Sequence, residues 1–172
     1  MEMVTKHVVV EPYNEGWVQS FLNIRNEIGD ALHDLALSIE HVGSTSVPGM
    51  SAKPIIDIDV VIRDYSKLDA IVIKLDEIGY RHEGNLGIAG REAFKYDGKI
   101  HLQKHHLYVC PQDSPELRRH IAFRDYLRSH PEAVHEYSRI KEEGATLYPY
   151  DIEKYIEYKS PFIERIYRKL GI

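Results

Sequence analysis

The sequence lacks features that define several large classes of protein. It has one cysteine, Cys110, which excludes an internal disulfide and a zinc site built from several cysteines, and so low a cysteine content is typical of a reducing cytoplasm. Its 22 lysines and arginines are outnumbered by 27 aspartates and glutamates, so it lacks the basic excess of general nucleic-acid-binding proteins. We therefore expect a cytoplasmic protein that does not bind nucleic acid.

Long apolar segments are also missing. Apolar runs do not exceed about five residues, whereas a membrane-spanning helix needs roughly 20. Residues 1–10 lack the basic start and the apolar stretch of a secretory signal peptide. We expect neither membrane insertion nor secretion.

The remaining composition is that of an ordinary globular protein. Hydrophobic residues make up 43% and charged residues 28% of the 172 positions, which argues against extended disorder. A chain of this length can bury roughly two-thirds of the surface of its unfolded state, enough for one core. We expect a single domain spanning residues 1–172; the oligomeric state stays open.

The periodicity of apolar residues predicts alternating helices and strands. Steps of three and four predict helices, and β-branched or alternating runs predict strands. The predicted helices cover residues 15–34 (with Asn14 as N-cap), 66–78, 115–128 (capped by Ser114), 131–144 and 152–170, and the predicted strands cover 37–42, 53–62, 93–96 and 105–110. Residues 7–12 fit a short edge strand or an extended lead-in. This order predicts an α/β or α+β fold with a mixed sheet flanked by helices and a helical C-terminal third.

Two carboxylates interrupt the most β-prone stretch of the chain. Asp57 and Asp59 are two residues apart among isoleucines and valines, so on a strand both would project from the same face. Two like charges on an apolar strand are costly to desolvate unless a cation or hydrogen-bond donors neutralise them. Oxygen ligands at this spacing suit Mg²⁺ or Mn²⁺, which often bind substrate phosphates as well. An edge strand with its polar side in water is the plainer alternative.

A run of turn-forming residues precedes the predicted strand at residues 53–62, which we call the acid strand because it carries Asp57 and Asp59. Residues 43–51 are rich in glycine, serine and proline, and the hydroxyl and backbone N–H groups of Ser44, Thr45 and Ser46 could bind a phosphate after Gly43. An ordinary surface turn would have the same composition. The run matches neither the P-loop nor the dinucleotide-binding glycine pattern.

Residues 41–49 (His-Val-Gly-Ser-Thr-Ser-Val-Pro-Gly) and 53–59 (Lys-Pro-Ile-Ile-Asp-Ile-Asp) together resemble the signature of the GrpB family. That family is assigned to the nucleotidyltransferase superfamily, with a mixed sheet flanked by helices. The resemblance implies that Gly43 and Ser44 hold a triphosphate and that Asp57 and Asp59 bind a divalent metal that bridges its phosphates.

The third carboxylate that such a site normally needs is missing from the expected strand. Residues 105–110 contain no acid, and His106 shares one face of that strand with Tyr108. We expect this face to meet the acid pair, so that His106 serves as a metal ligand or general base. Imidazole suits Mn²⁺ or Zn²⁺ better than Mg²⁺. Glu92 is a substitute acid to consider.

The remaining candidates are cationic. Lys53, Arg91 and Lys159 are candidate phosphate partners, Arg91 because its planar fork suits oxyanions. Each would also be ordinary as solvated surface charge. His120 falls among charged helix positions and is expected to be solvated.

These residues lead to one main functional hypothesis and two alternatives. The main hypothesis is a metal-dependent enzyme that transfers a nucleotidyl group from a nucleoside triphosphate to a small-molecule acceptor, with Asp57, Asp59 and His106 as catalytic residues. The first alternative is a non-catalytic nucleotide- or cofactor-binding module whose carboxylate triad is incomplete. The second is a metal-dependent hydrolase that uses a site of histidine and aspartate.

Overall fold

The computed structural model describes residues 7–172. Residues 1–6, which belong to the N-terminal segment in which we predict no signal peptide, lie outside the described residues. The strands are β1 (Ser38–Val42), β2 (Ile56–Ile62), β3 (Tyr80–Gly84), β4 (Glu92–Tyr96) and β5 (His105–Pro111). They form one sheet in the order β1-β2-β5-β4-β3. The central pair, β2 and β5, is parallel, and the other three pairings are antiparallel.

Five α-helices flank the sheet: α1 (Gly16–Leu32), α2 (Leu68–Glu77), α3 (Pro115–Arg128), α4 (Pro131–Leu147) and α5 (Ile152–Leu170). The helices α1 and α2 pack on one face, where Ile24 and Ile71 join Ile58 and Leu107 in the main core. The C-terminal helices α3–α5 form a second core together with the turn between β1 and β2. The predicted mixed sheet with flanking helices and a helical C-terminal third is confirmed.

The turn between β1 and β2 is anchored to the C-terminal helices. Val47 and Met50 of this turn are fully buried among side chains of α3, α4 and α5. Arg128 of α3 donates a hydrogen bond from Nε to the backbone oxygen of Ser46 over 3.0 Å. The turn is therefore held against both the sheet and the helical third.

Most predicted boundaries hold within a few residues, but the strand β3 has no counterpart in the prediction. Three polar residues in a row follow Tyr80, and only Tyr80 is buried, so the period-two signal of a strand is absent. The strand β2 starts at Ile56 rather than at residue 53, consistent with Pro54, which has no N–H to donate to a ladder. The segment at residues 7–12 contributes only an isolated bridge, from Glu11 to Ala52.

Gly144 does not end its helix, contrary to the prediction. The helix α4 continues to Leu147, and Gly144 lies in its interior. A Cβ at this position would lie 2.9 Å from Tyr158 Cδ1 and 3.2 Å from Tyr155 Cδ2. The glycine therefore permits close packing of α4 on α5, where the sequence pattern had indicated a helix terminus.

Over residues 7–172, none of the helices has both the length and the apolar character that crossing a membrane would require.

Candidate active site

The acid pair lies on the face of the sheet that is turned toward the C-terminal helices. Alternation along β2 places Asp57 and Asp59 on the same face as Val61, which packs with Cys110 and with Leu117 of α3. Asp59 is fully buried, whereas the Asp57 side chain is 35% exposed. The two carboxylates thus differ in access to solvent although they share a face.

His106 lies directly beside Asp57. The parallel register of β2 and β5 pairs these two residues, and His106 Nδ1 donates a hydrogen bond to Asp57 Oδ1 over 3.0 Å. The prediction that the face of β5 bearing His106 meets the acid pair is confirmed. An imidazole therefore stands next to Asp57 where the superfamily pattern led us to expect a carboxylate.

Glu92 cannot replace that carboxylate, because it lies on the opposite face of the sheet. It pairs with Val109 in the register of β4 and β5, and Val109 belongs to the core under α1 and α2. Its Oε2 is 3.0 Å from His82 Nε2. The suggestion that Glu92 serves as a substitute acid is wrong.

His120 is a site residue that the sequence reasoning missed. It was expected to be solvated, but its Nδ1 donates to Asp59 Oδ2 over 2.6 Å and its Nε2 lies 3.4 Å from Glu116 Oε2. Its side chain is only 23% exposed, because α3 lies across the acid face of the sheet. The charged helix pattern around His120 gave no sign of this contact, which depends on how α3 docks.

Burial and mutual attraction shift the protonation of the Asp59–His120 pair. Burial raises the pKa of Asp59 more than the hydrogen bond from His120 lowers it. Burial also disfavours the charged imidazole, but the hydrogen bond and the charge of Asp59 outweigh it and raise the pKa of His120. Both shifts therefore favour the proton-bearing forms of the pair.

One oxygen of Asp59 is left without a partner. Asp59 Oδ1 and Arg91 Nε are the buried side-chain nitrogen and oxygen atoms of residues 7–172 that make no hydrogen bond. An unpaired buried polar group costs about 1–3 kcal/mol, and more when it is charged. A cost of that size, on the face that carries the acid pair, is typical of an atom that a ligand satisfies.

The turn before β2 brings its backbone against Asp57. Gly43 has a φ of +73°, and a Cβ built on it would lie 2.3 Å from Asp57 Oδ2. The turn's own hydroxyls are partly used within it: Thr45 Oγ1 is hydrogen-bonded to His41 Nε2 over 2.9 Å, and Ser46 Oγ donates to the backbone oxygen of Gly43. The hydroxyl of Ser44, in contrast, accepts a hydrogen bond from a lysine, Lys141.

Two cavities meet at Asp57. The first, which we call the acid cavity, has a volume of about 200 Å³ and is lined by Val42, Gly43, Asp57, Asp59, Arg91, Tyr108 and His120. The second, the lysine cavity, has a volume of about 210 Å³ and is lined by Ser44, Thr45, Ala52, Lys53, Ile55, Asp57, His106, Lys141, Tyr155 and Lys159. The structure therefore brings together every predicted site residue except Ser46, which lines neither cavity.

Lys141 is the second site residue that the sequence reasoning missed. It is 2% exposed, its Nζ donates to Ser44 Oγ over 2.8 Å, and it lies 4.3 Å from the centre of the Tyr137 ring. Burial lowers its pKa well below the usual range of a lysine. The spacing of Tyr137, Lys141 and Gly144, four and then three residues, places Lys141 on the buried stripe of α4, and that signal could have identified it.

Other cations surround the same cavity. Lys53 and Lys159 lie 5.8 Å and 5.2 Å from the centre of the buried Tyr155 ring. Burial, followed by the charge of Lys53, lowers the pKa of Lys159 to about 8. Several ammonium groups in so small a space repel one another, so the lysine cavity favours an anion.

Arg91 belongs to the acid cavity instead. Its guanidinium lies 4.3 Å from the centre of the Tyr108 ring. Tyr108 is the residue of β5 that pairs with Asp59. The predicted phosphate partners therefore divide between the two cavities, with Arg91 beside the acids and the lysines on the other side of Asp57.

The described part of the chain holds no group of three or more histidine, cysteine, aspartate or glutamate side chains arranged to bind a metal ion. A metal held by Asp57 and Asp59 would need further oxygen ligands from a substrate or from water. The hydrolase alternative, a site of histidine and aspartate that binds a metal, is not favoured.

Comparison with known proteins places this geometry among relatives. A sequence profile of the family described as GrpB protein matches residues 7–169. The chain is 31% identical over 166 residues to the glutamate-rich protein GrpB of Alkalihalophilus pseudofirmus, covering 95% of each protein. It is 36% identical over 152 residues to the UPF0157 protein YqkA of Bacillus subtilis, and the match spans 88% of this chain but only 44% of that protein.

Solved structures extend the comparison to the fold. The crystal structure of the conserved protein GrpB from Enterococcus faecalis superimposes with a TM-score of 0.83 at 34% identity, covering 94% of this chain and 96% of that one. The poly(U) polymerase Cid1, in a variant bound to MgATP, superimposes with a TM-score of 0.54 at 10% identity, covering 77% of this chain and 45% of that one. At that identity, the second likeness concerns the fold alone, which is that of nucleotidyltransferases.

Proposed function

The chain belongs to the GrpB family, and from that premise and the geometry of its site we propose that it is a metal-dependent nucleotidyltransferase-like protein. It takes a nucleoside triphosphate and transfers the nucleotidyl group to a small-molecule acceptor. The observation that carries this proposal is that Asp57 joins a cavity of carboxylates to a cavity of lysines. A nucleoside triphosphate bound with a divalent cation needs both kinds of surface next to each other.

The lysine cavity is the proposed site of the triphosphate. Lys53, Lys141 and Lys159 would offset its negative charge, and Ser44 is already held in place by Lys141. The deep burial of Lys141 supports this assignment, because an uncompensated ammonium group there disfavours the folded state unless an anion approaches it.

The acid cavity fits a divalent cation in the chemistry of its donors. Asp59 Oδ1 is buried and unpartnered, and Asp57 Oδ2 faces Gly43, where only the missing Cβ leaves room for it. Asp57 and Asp59 would hold Mg²⁺ or Mn²⁺, with phosphate and water oxygens as the remaining ligands. When bound, such a cation would offset the charge that develops on the phosphates during transfer.

The histidines of the site have separate proposed roles. His106 Nδ1 is engaged by Asp57 Oδ1, which leaves Nε2 to accept the proton of the attacking acceptor. The contact with Asp57 fixes the orientation of this imidazole. His120 holds Asp59 Oδ2, which fixes the direction of the buried carboxylate. Nucleotidyl transfer would then depend mainly on positioning and on electrostatic stabilisation.

The binding test measures the affinity for ATP in the presence of Mn²⁺ by isothermal titration calorimetry. We expect Asp57→Asn and Asp59→Asn each to weaken binding by about tenfold or more, since each removes a charge-assisted contact worth about 1.5–3 kcal/mol. Glu92→Gln is the matched control, because it alters a carboxylate on the other face of the same sheet. Equal affinities for the wild type and both aspartate variants would contradict the proposal.

The catalytic test follows label from α-³²P-ATP into a new species in a protein-free metabolite extract. We expect transfer that depends on Mn²⁺ or Mg²⁺ and is lost in His106→Ala and Asp57→Asn. Saturable binding of ATP without transfer to any acceptor would instead favour the non-catalytic binding module.

A further inference from the structure

A third cavity has His106 among its lining residues. Its volume is about 480 Å³, within the range of small-molecule pockets, and we call it the loop pocket because residues 98–104 form much of its wall. His106 lines both the loop pocket and the lysine cavity. His106 therefore borders both the proposed triphosphate site and a larger pocket that has no role so far.

The loop pocket carries a net positive charge. Lys95 and Lys104 line it and are exposed, and the acid among its lining residues is Glu83. Lys99 also lines it, but its ammonium group is paired with Glu27 of α1. Lys95 lies two residues after Ala93, which pairs with Tyr108, so it projects from the acid face of the sheet. An anionic group is the complementary ligand.

The wall of the pocket also contains apolar surface that the protein leaves uncovered. Ile100 is 97% exposed, and Leu102 of the same loop is partly buried beside it. Burial of an exposed isoleucine side chain is favourable, so a bound apolar group would recover free energy that the unliganded protein forgoes. A ligand with an apolar body and an anionic substituent matches both parts of the pocket.

We infer that the loop pocket is the acceptor site and that it takes a small, partly apolar molecule that bears an anionic group and a nucleophilic hydroxyl or amine. This inference rests on the proposed function. The acceptor transfers a proton to His106 Nε2, and its oxygen or nitrogen forms a bond to the α-phosphorus of the nucleoside triphosphate. The bond from that phosphorus to the bridging oxygen breaks, and its electron pair leaves with pyrophosphate.

The first measurement uses two fluorescent dyes that share a skeleton. 1-Anilinonaphthalene-8-sulfonate is anionic and partly apolar, whereas N-phenyl-1-naphthylamine lacks the sulfonate. We expect the double variant Lys95→Gln/Lys104→Gln to weaken binding of the anionic dye by about tenfold and to change binding of the neutral dye little. We expect Ile100→Asn to weaken binding of both dyes by about fivefold.

The control variants are Ile73→Asn and Lys74→Gln, which alter an exposed isoleucine and an exposed lysine of α2 on the other side of the sheet. Near-ultraviolet circular dichroism of every variant checks that tertiary packing is retained, since anilinonaphthalene dyes also bind loosened proteins. Dye binding that is insensitive to Ile100→Asn, or that falls equally in the α2 variants, would overturn the site.

The second measurement titrates the anionic dye into protein already saturated with ATP and Mn²⁺. An unchanged dissociation constant supports an acceptor site, since acceptor and nucleotide must be bound together. Competition between dye and ATP would overturn the acceptor role and make the loop pocket part of the nucleotide site, with the proposed function intact. Failure of the wild type to bind ATP, with dye binding that still follows Ile100→Asn, would overturn both the proposed function and the acceptor role.

Discussion

Gly43→Ala isolates the close approach between the turn and the acid strand. Alanine at a φ of +73° costs about 1–2 kcal/mol from backbone strain alone. Its Cβ would also lie 2.3 Å from Asp57 Oδ2 and 3.1 Å from Asp57 Cβ, so the carboxylate must rotate away. That rotation breaks the 3.0 Å hydrogen bond to His106, which adds about 1–1.5 kcal/mol. We expect a total loss of about 2–3.5 kcal/mol in the free energy of unfolding.

Gly87→Ala is the matched control for this substitution. Gly87 has a φ of +82°, and a Cβ there would meet nothing within 4 Å. It should therefore lose only the strain of about 1–2 kcal/mol. Urea unfolding of both variants gives the difference, and calorimetry with ATP and Mn²⁺ shows whether displacement of Asp57 also weakens nucleotide binding by about tenfold or more.

Equal behaviour of Gly43→Ala and Gly87→Ala would contradict this prediction. Equal losses of stability would mean that the contact between Gly43 and Asp57 relaxes at no cost. Wild-type affinity for ATP in Gly43→Ala, measured under conditions where the variant is folded, would mean that the position of Asp57 does not matter for binding.

Three further predictions concern titratable groups buried near the site. Lys141→Met should leave the free energy of unfolding unchanged or raise it by about 1 kcal/mol, because it removes a buried cation, while ATP affinity measured by calorimetry falls about tenfold. Burial holds the pKa of His41 at about 4, below its ordinary 6.5. The free energy of unfolding should therefore be unaffected by His41 above pH 6.5 and should fall by up to about 3 kcal/mol as the pH drops toward 4. His41→Gln should flatten this pH dependence in urea unfolding. Because Asp59 raises the pKa of His120, Asp59→Asn should lower it, which an NMR titration of the imidazole measures; an unshifted titration would contradict the pairing.

The order of helices and strands was predictable because it depends on local patterns. The isoleucine and valine run of β2 and the capping serine of α3 are visible in the sequence, and the structure has both. The position of Gly144 inside its helix and the existence of β3 could not be predicted, because both depend on partners distant in the sequence. Gly144 is explained by tyrosines of α5, and β3 by its pairing with β4. Neither partnership leaves a mark in the segment itself.

The candidate site divides in the same way. The placement of His106 beside Asp57 could be predicted because strand alternation and adjacency fix it. His120 could not be assigned, because its contact with Asp59 depends on how α3 docks over the acid face. Lys141 could have been placed on the buried stripe of α4, but its contact with Ser44 depends on how α4 docks. A charged or polar residue on a helix reads as solvated until the surface it covers is known.

The parallel pairing of β2 with β5 has a consequence for how the protein folds. Asp57 and His106 are 49 positions apart, and β3 and β4 lie between them in the sequence but outside them in the sheet. Closing so long a loop is entropically costly, so this pairing should form late, after the local hairpin of β3 and β4. Hydrogen exchange during refolding should therefore protect the amides of the β3–β4 hairpin before that of Ile56, whose N–H donates to the backbone oxygen of Lys104 next to β5. A chain released before β5 is complete would expose the acid strand as an unpaired edge, which makes that interval the one in which the protein is most open to aggregation.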